Sequence, residues 1–117
     1  MRLLGRAFCD AFPYRVLNIH PSLLPAFPGT DAQRQALEHG VKVTGATVHF
    51  VTPELDGGPI VEQEAVRVNE GDSVDALSAR ILEAEHRIYP RAVDRILHAP
   101  WRVDGRRVRF GETHHDD

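Results

Sequence analysis

Asn18 and His20 stand two residues apart at the end of the apolar run RVLNI, Arg15–Ile19, and the stretch PSLLPAFPG that follows holds three prolines. In an extended backbone, residues two apart point to the same side. An amide donor and an imidazole would then converge on one point, which suits a carbonyl oxygen that turns into an oxyanion. Asp56, in ELDGGP, is the third candidate. A carboxylate brought beside His20 would hold the imidazole in its charged form and keep a general acid loaded. Gly57 and Gly58 would allow close backbone approach to a flat ligand. Each residue has a plainer reading: Asn18 could cap a turn, His20 could bond a backbone carbonyl, and Asp56 could form an Asx turn. For His20 alone the plainer reading weighs more. His49 reads as a packed or supporting residue rather than a primary catalyst. Glu85 and His86 read as helix-surface residues, one of which could reach a ligand. Residue types alone therefore reach an acyl-transfer or hydrolytic site and no further.

These side chains must be positioned by strands and loops. RVLNI reads as a short interior strand, and the prolines after it forbid both a helix and a central strand. Thr30–Gly40 reads as a short helix, with Thr30 and Gln33 at capping-box spacing and Gly40 as the stop. Thr44–Val51 alternates Val48 and Phe50 with Thr47, His49 and Val51, the pattern of a half-buried strand. PELDGGP breaks it, and Ile60–Val68 resumes as a strand antiparallel to it because the connection is short. From Asp72 or Ser73 as N-cap, a helix carries Leu77, Ile81, Ala84, Ile88, Val93, Ile96 and Leu97 on one stripe. Pro90 is expected to bend or break it near Tyr89. Trp101–Phe110 centres on Asp104-Gly105, a two-residue hairpin signal. The fold class is α/β.

The chain has 117 residues, 42% hydrophobic and 26% charged, with a net charge of −3. That length suits one folding unit. The charge argues against a nucleic-acid partner, and the Arg-rich end (Arg102, Arg106, Arg107, Arg109) is offset by Glu112, Asp116 and Asp117. Nothing approaches a membrane span or a signal-peptide core, so a cytoplasmic location and no membrane partner are expected. Cys9 is the single cysteine, which leaves no internal disulfide and no CxxC motif. The adjacent histidines of ETHHDD read as a frayed tail rather than a metal site. No glycine loop of the P-loop or dinucleotide type occurs. A sheet with strands this apolar needs helices on both faces, and one long and one short helix do not suffice, so the chain reads as the latter part of a larger fold.

NIHPSLLPAFPG, followed by GATVHFV and ELDGGPIVEQ, resembles the folate-dependent formyltransferases, most closely the branch that formylates glycinamide ribonucleotide. The likeness runs through residues 1–110, with 111–117 as a loose tail, and the two motifs together are far more specific than either alone. The resemblance implies a Rossmann-like formyltransferase fold, here the C-terminal portion of a mixed sheet flanked by helices, without the N-terminal nucleotide-binding strands. It implies that Asn18, His20 and Asp56 are catalytic. It implies that Met1, Arg2, Leu3 and Leu4 wall the folate pocket, with Thr52 to Asp56 and Asn18 completing it, and that Glu85 lies near the ribonucleotide. The implied cosubstrate is 10-formyltetrahydrofolate, with no metal. Without its neighbours, the apolar sheet edge is expected to make the chain self-associate. The related deformylase, which uses the same trio to hydrolyse the formyl donor, and a non-catalytic folate-binding fragment are the alternatives. The formyltransferase that acts on methionyl-tRNA shares the NxHPSLLP-like residues but continues into a tRNA-binding domain not seen here.

Overall fold

The computed structural model describes residue 14 and residues 16–111. In chain order the elements are β1 (Leu17–His20), α1 (Ala32–Glu38), β2 (Val43–Phe50), β3 (Ile60–Arg67), α2 (Val74–His98), β4 (Trp101–Asp104) and β5 (Arg107–Phe110). The strands form one mixed sheet in the order β1-β2-β3-β5-β4. β1 and β3 flank β2, both antiparallel to it, as the short 51–59 connection requires. β5 joins β3 through one parallel pair, Ile60 opposite Arg107. Among the described strands β1 has β2 as its neighbour; the residues before Tyr14 lie outside the described ones, so the interior position its apolar composition suggests is not decided by this sheet order.

β2 departs from the expected alternation, because every residue from Thr44 to Phe50 is buried. The reason is that both faces of this strand are covered. On one face Ala46, Val48 and Phe50 meet Leu77, Ile81, Ala84, Ile88 and Ala92 of α2. On the other lies the proline-rich segment after β1, which hydrogen-bonds to Thr47. Gly45 has no room for a side chain: a Cβ there would sit 2.7 Å from the Leu23 side chain and 2.2 Å from the Glu64 carbonyl oxygen.

α2 starts at Ser73, whose hydroxyl accepts the Ala76 N–H at 3.0 Å. Its buried stripe ends on Ala92, while Leu97 is 69% exposed and does not join it. Pro90 does not break the helix. Ion pairs Glu62–Arg95 and Glu64–Arg87 tie α2 to β3. A bulge at Val48/His49 sets His49 opposite Ile60 and Val48 opposite Glu62, so Val61 is the extra residue on β3. α1 does not form the expected capping box. Its N-cap is Asp31, left-handed and without a side-chain cap, and Gln35 instead donates to the Thr30 carbonyl. The stop at Gly40 is as expected: φ is 70°, and the Gly40 and Val41 N–H groups bond back to Leu37 and Ala36 in a Schellman pattern. In the terminal hairpin the two loop residues are Gly105 and Arg106, one position later than expected, with positive φ at Gly105.

Candidate active site

The register of β1 and β2 assembles the first half of the site. Asn18 lies opposite His49 and His20 opposite Thr47, so all four share the sheet face covered by the proline-rich segment. Asn18 is half-buried, whereas His20 and His49 are 1% and 2% exposed. Asp56 arrives from the loop between β2 and β3. It holds a left-handed backbone, φ 51°, and its side chain is wholly buried. Gly58 fixes the loop against β2, since a Cβ there would fall 1.8 Å from the Phe50 carbonyl oxygen.

Asp56 sits between two imidazoles. Its Oδ2 is 3.6 Å from His20 Nδ1, and its Oδ1 is 3.8 Å from His49 Nε2. Both are ion-pair distances beyond hydrogen-bond reach, and among the described residues His20 Nδ1, His49 Nε2 and Asp56 Oδ1 are buried without hydrogen-bond partners. Asp56 Oδ2 also accepts the Gly29 N–H at 2.7 Å, which closes the proline-rich segment over the site.

The other nitrogen of each ring is spent on a carbonyl. His20 Nε2 donates to the Phe27 oxygen at 2.8 Å, and His49 Nδ1 donates to the Phe50 oxygen at 3.0 Å. The backbone-carbonyl bond that competes with a chemical role for His20 thus exists, and exists together with the contact to Asp56. One carboxylate can compensate one imidazolium. Burial pushes His49 below its ordinary value of 6.5, with the His20 charge acting the same way, against the raising influences of Phe50 and Asp56. Burial thus biases His49 toward its neutral form.

Glu85, on α2, lies within electrostatic reach of His20. Burial pushes its carboxyl up, partly offset by His86 and His20. Thr52 has a buried hydroxyl oxygen without a hydrogen-bond partner among the described residues. With Tyr14, Pro53, Glu54, Gly57, Pro59, Gly105 and Arg106 it lines a cleft of about 400 Å³. Arg106, from the hairpin, reaches the Gly57 carbonyl at 3.4 Å. Met1, Arg2, Leu3 and Leu4 lie outside the described residues, as do residues 112–117. Among the described residues, no group of three or more His, Cys, Asp or Glu side chains is arranged to hold a metal ion. Residue chemistry did not single out Ser22, Thr47, Gln63 or Gly29, whose hydrogen bonds hold the segment above His20. Thr47 alternates with His49 along β2, the one trace of this in the sequence.

An amide, two imidazoles and a buried carboxylate thus lie together at strand ends of an α/β sheet, and groups of these types suit a developing oxyanion. The comparisons give the family. A family model described as formyl transferase matches residues 1–93. The phosphoribosylglycinamide formyltransferase of Escherichia coli strain K12 is 50% identical over 106 residues, which are 91% of this chain and 47% of that protein. A crystal structure of glycinamide ribonucleotide transformylase 1 from Symbiobacterium toebii superposes with a TM-score of 0.92 at 60% identity, covering 96% of this chain and 53% of that one. A formyltetrahydrofolate deformylase from Pseudomonas syringae superposes with a TM-score of 0.89 at 36% identity, covering 96% and 38%. The chain belongs to the formyl transferase family. It spans about half the length of the curated phosphoribosylglycinamide formyltransferases it matches.

Proposed function

We propose that residues 1–110 are a formyltransferase domain that moves the formyl group of 10-formyltetrahydrofolate onto the amine of glycinamide ribonucleotide, a step of purine biosynthesis in the cytoplasm. The observation that carries this reading is the buried Asp56 carboxylate held between His20 and His49, with Asn18 opposite His49 on the paired strand.

The amine nitrogen attacks the formyl carbon, and the electron pair of its double bond moves onto the formyl oxygen. Asn18 and the imidazolium of His20 stabilise that negative charge, with Asp56 as the fixed counter-charge. The Nε2–H of His20 is spent on the Phe27 carbonyl, and the formyl oxygen takes it over as the stronger acceptor when charge develops. Collapse of the tetrahedral intermediate breaks the bond to the folate nitrogen, which receives the proton that the amine gives up. The loop Thr52–Asp56, with Asn18 and Met1–Leu4, walls the folate. Glu85 faces the ribonucleotide amine, and its raised affinity for protons suits a group that handles the amine proton. Self-association through the edge of β1 accompanies this reading.

The test supplies 10-formyltetrahydrofolate with and without glycinamide ribonucleotide. It uses both the 117-residue chain and the same chain joined to the preceding half of the Escherichia coli relative. Amine-dependent release of tetrahydrofolate is expected from the joined form. Release without amine would favour the deformylase reading, which the superposition on a deformylase keeps in view. Silence with and without amine would reject both.

A further inference from the structure

Thr47 is fully buried in β2, opposite His20 on one side and Gln63 on the other. Its hydroxyl donates to the Ser22 carbonyl at 2.7 Å and accepts from the Leu24 N–H at 3.1 Å and from Gln63 Nε2 at 3.0 Å. Gln63 Nε2 also donates to the Leu24 carbonyl at 3.0 Å. A hydroxyl offers one donor and two acceptor sites, and here all three are in use. The residues so pinned follow His20 directly. From there Ser22 Oγ donates to the Ala26 carbonyl at 2.5 Å, and the next carbonyl, that of Phe27, receives His20 Nε2–H. By holding Nε2–H, the Phe27 carbonyl fixes the orientation of the ring and so turns Nδ1 toward Asp56.

We infer that Thr47 is a positioning residue for His20: its hydroxyl, braced by Gln63, holds the Pro21–Gly29 segment in the one arrangement that puts Nε2–H on Phe27 and turns Nδ1 toward Asp56. A β-branched residue of the same shape would satisfy the strand and the packing. Among the described residues it is the Thr47 hydroxyl that bonds the buried Ser22 carbonyl and Leu24 N–H, which a methyl group in its place could not. The kinetic consequence rests on the formyl-transfer reading, whereas the consequence for the His20 ring does not.

The experiment compares Thr47→Val with Thr47→Ser in the joined chain of the activity assay. Two readouts are taken on protein with a cooperative melting transition. One is the nitrogen–proton NMR correlation of the His20 imidazole, assigned by its absence in His20→Asn. The other is kcat with KM for 10-formyltetrahydrofolate. In Thr47→Val the protected His20 Nε2–H signal is expected to disappear and kcat to fall by about tenfold to a hundredfold, with KM changed less than about threefold. Thr47→Ser should keep the signal and stay within about threefold of the parent in kcat. A folded Thr47→Val that keeps both the His20 signal and kcat overturns the proposal. Should Thr47→Val not fold, Gln63→Leu, at an exposed position, removes one arm of the brace. An unchanged His20 signal in that variant overturns the proposal equally. Loss of the His20 signal in a protein without formyl transfer supports the positioning role and rejects the proposed function separately.

Discussion

Asp56 combines a strained backbone with a buried charge. Left-handed φ is uncommon outside glycine but tolerated by Asp and Asn, so Asp56→Asn keeps the turn and removes only the charge. It also leaves an amide oxygen able to accept the Gly29 N–H that now bonds to Oδ2. The variant is expected to fold normally and to lose formyl transfer by about a hundredfold or more, as is His20→Ala. Turnover at the parent rate in either would reject the roles proposed for them.

His49 carries a prediction about stability rather than rate. Its folded-state pKa lies below the ordinary value of 6.5, chiefly through burial, so below that pH the unfolded chain binds a proton that the folded chain resists. Stability is fully present above pH 6.5 and is lost as pH falls toward the depressed folded value. The groups facing His49 are Asp56 and His20, and Asp56 limits the effect by favouring the charged form. Urea unfolding of the parent and of His49→Gln between pH 7.5 and 5 should show a shallower acid-side loss in the variant; parallel curves would reject this assignment. Glu85 runs the opposite way. Its pKa is raised by burial, so its ionisation costs stability as pH rises through the carboxylate range. Glu85→Gln is expected to be more stable than the parent at pH 7, with the gain disappearing near pH 4; thermal melts at both values decide it.

At the level of elements, the site depends on how tightly the 51–59 loop and the proline-rich segment press on β2. Gly58 has no room for a side chain, because the Phe50 carbonyl oxygen that a Cβ would strike is the acceptor for His49 Nδ1. Gly58→Ala should therefore destabilise by about 1–3 kcal/mol through overpacking and release the His49 ring, visible as a changed His49 imidazole resonance. A neutral melting temperature would show that the loop stands off the strand. The sheet beneath is held by α2, whose Leu77, Ile81 and Ile88 are completely buried. Ile81→Ala or Ile88→Ala should cost about 2–5 kcal/mol, the range for large-to-small changes in a packed core.

At the scale of the whole molecule, two features of the described residues bear on association. β1 pairs with β2 on one side only among the described strands. Next to it lies an apolar cleft of about 520 Å³ lined by Tyr14, Leu17, Phe50, Val93, Ile96, Leu97 and Trp101. The apolar cleft beside β1 is the described surface through which association is expected. The 117-residue chain alone is expected to elute from size-exclusion chromatography larger than its 13.1 kDa, increasingly so at higher concentration. A sharp monomer peak across a tenfold concentration range would contradict this.

The amino-acid sequence by itself determined what depends on near neighbours. Alternation placed Asn18 and His20 on one side of a strand, helical spacing marked the stripe from Leu77 to Ile88, and Ser73, Gly40 and Gly105 marked where helices and a hairpin begin, stop or turn. Such features follow from backbone geometry over a few residues, so they are written locally. The motif pair around His20 and Asp56 made the family legible as well. Tertiary structure decided the rest. β2 is buried on both faces only because the proline-rich segment folds back over it. Thr30 and Gln33 fail to cap α1 because Asp31 takes a left-handed turn there. Asp56 meets two histidines rather than one because strand register, including the bulge at Val48/His49, sets His49 beside it. Register and loop packing are fixed by contacts between segments far apart in the chain, whose free energy no local pattern carries.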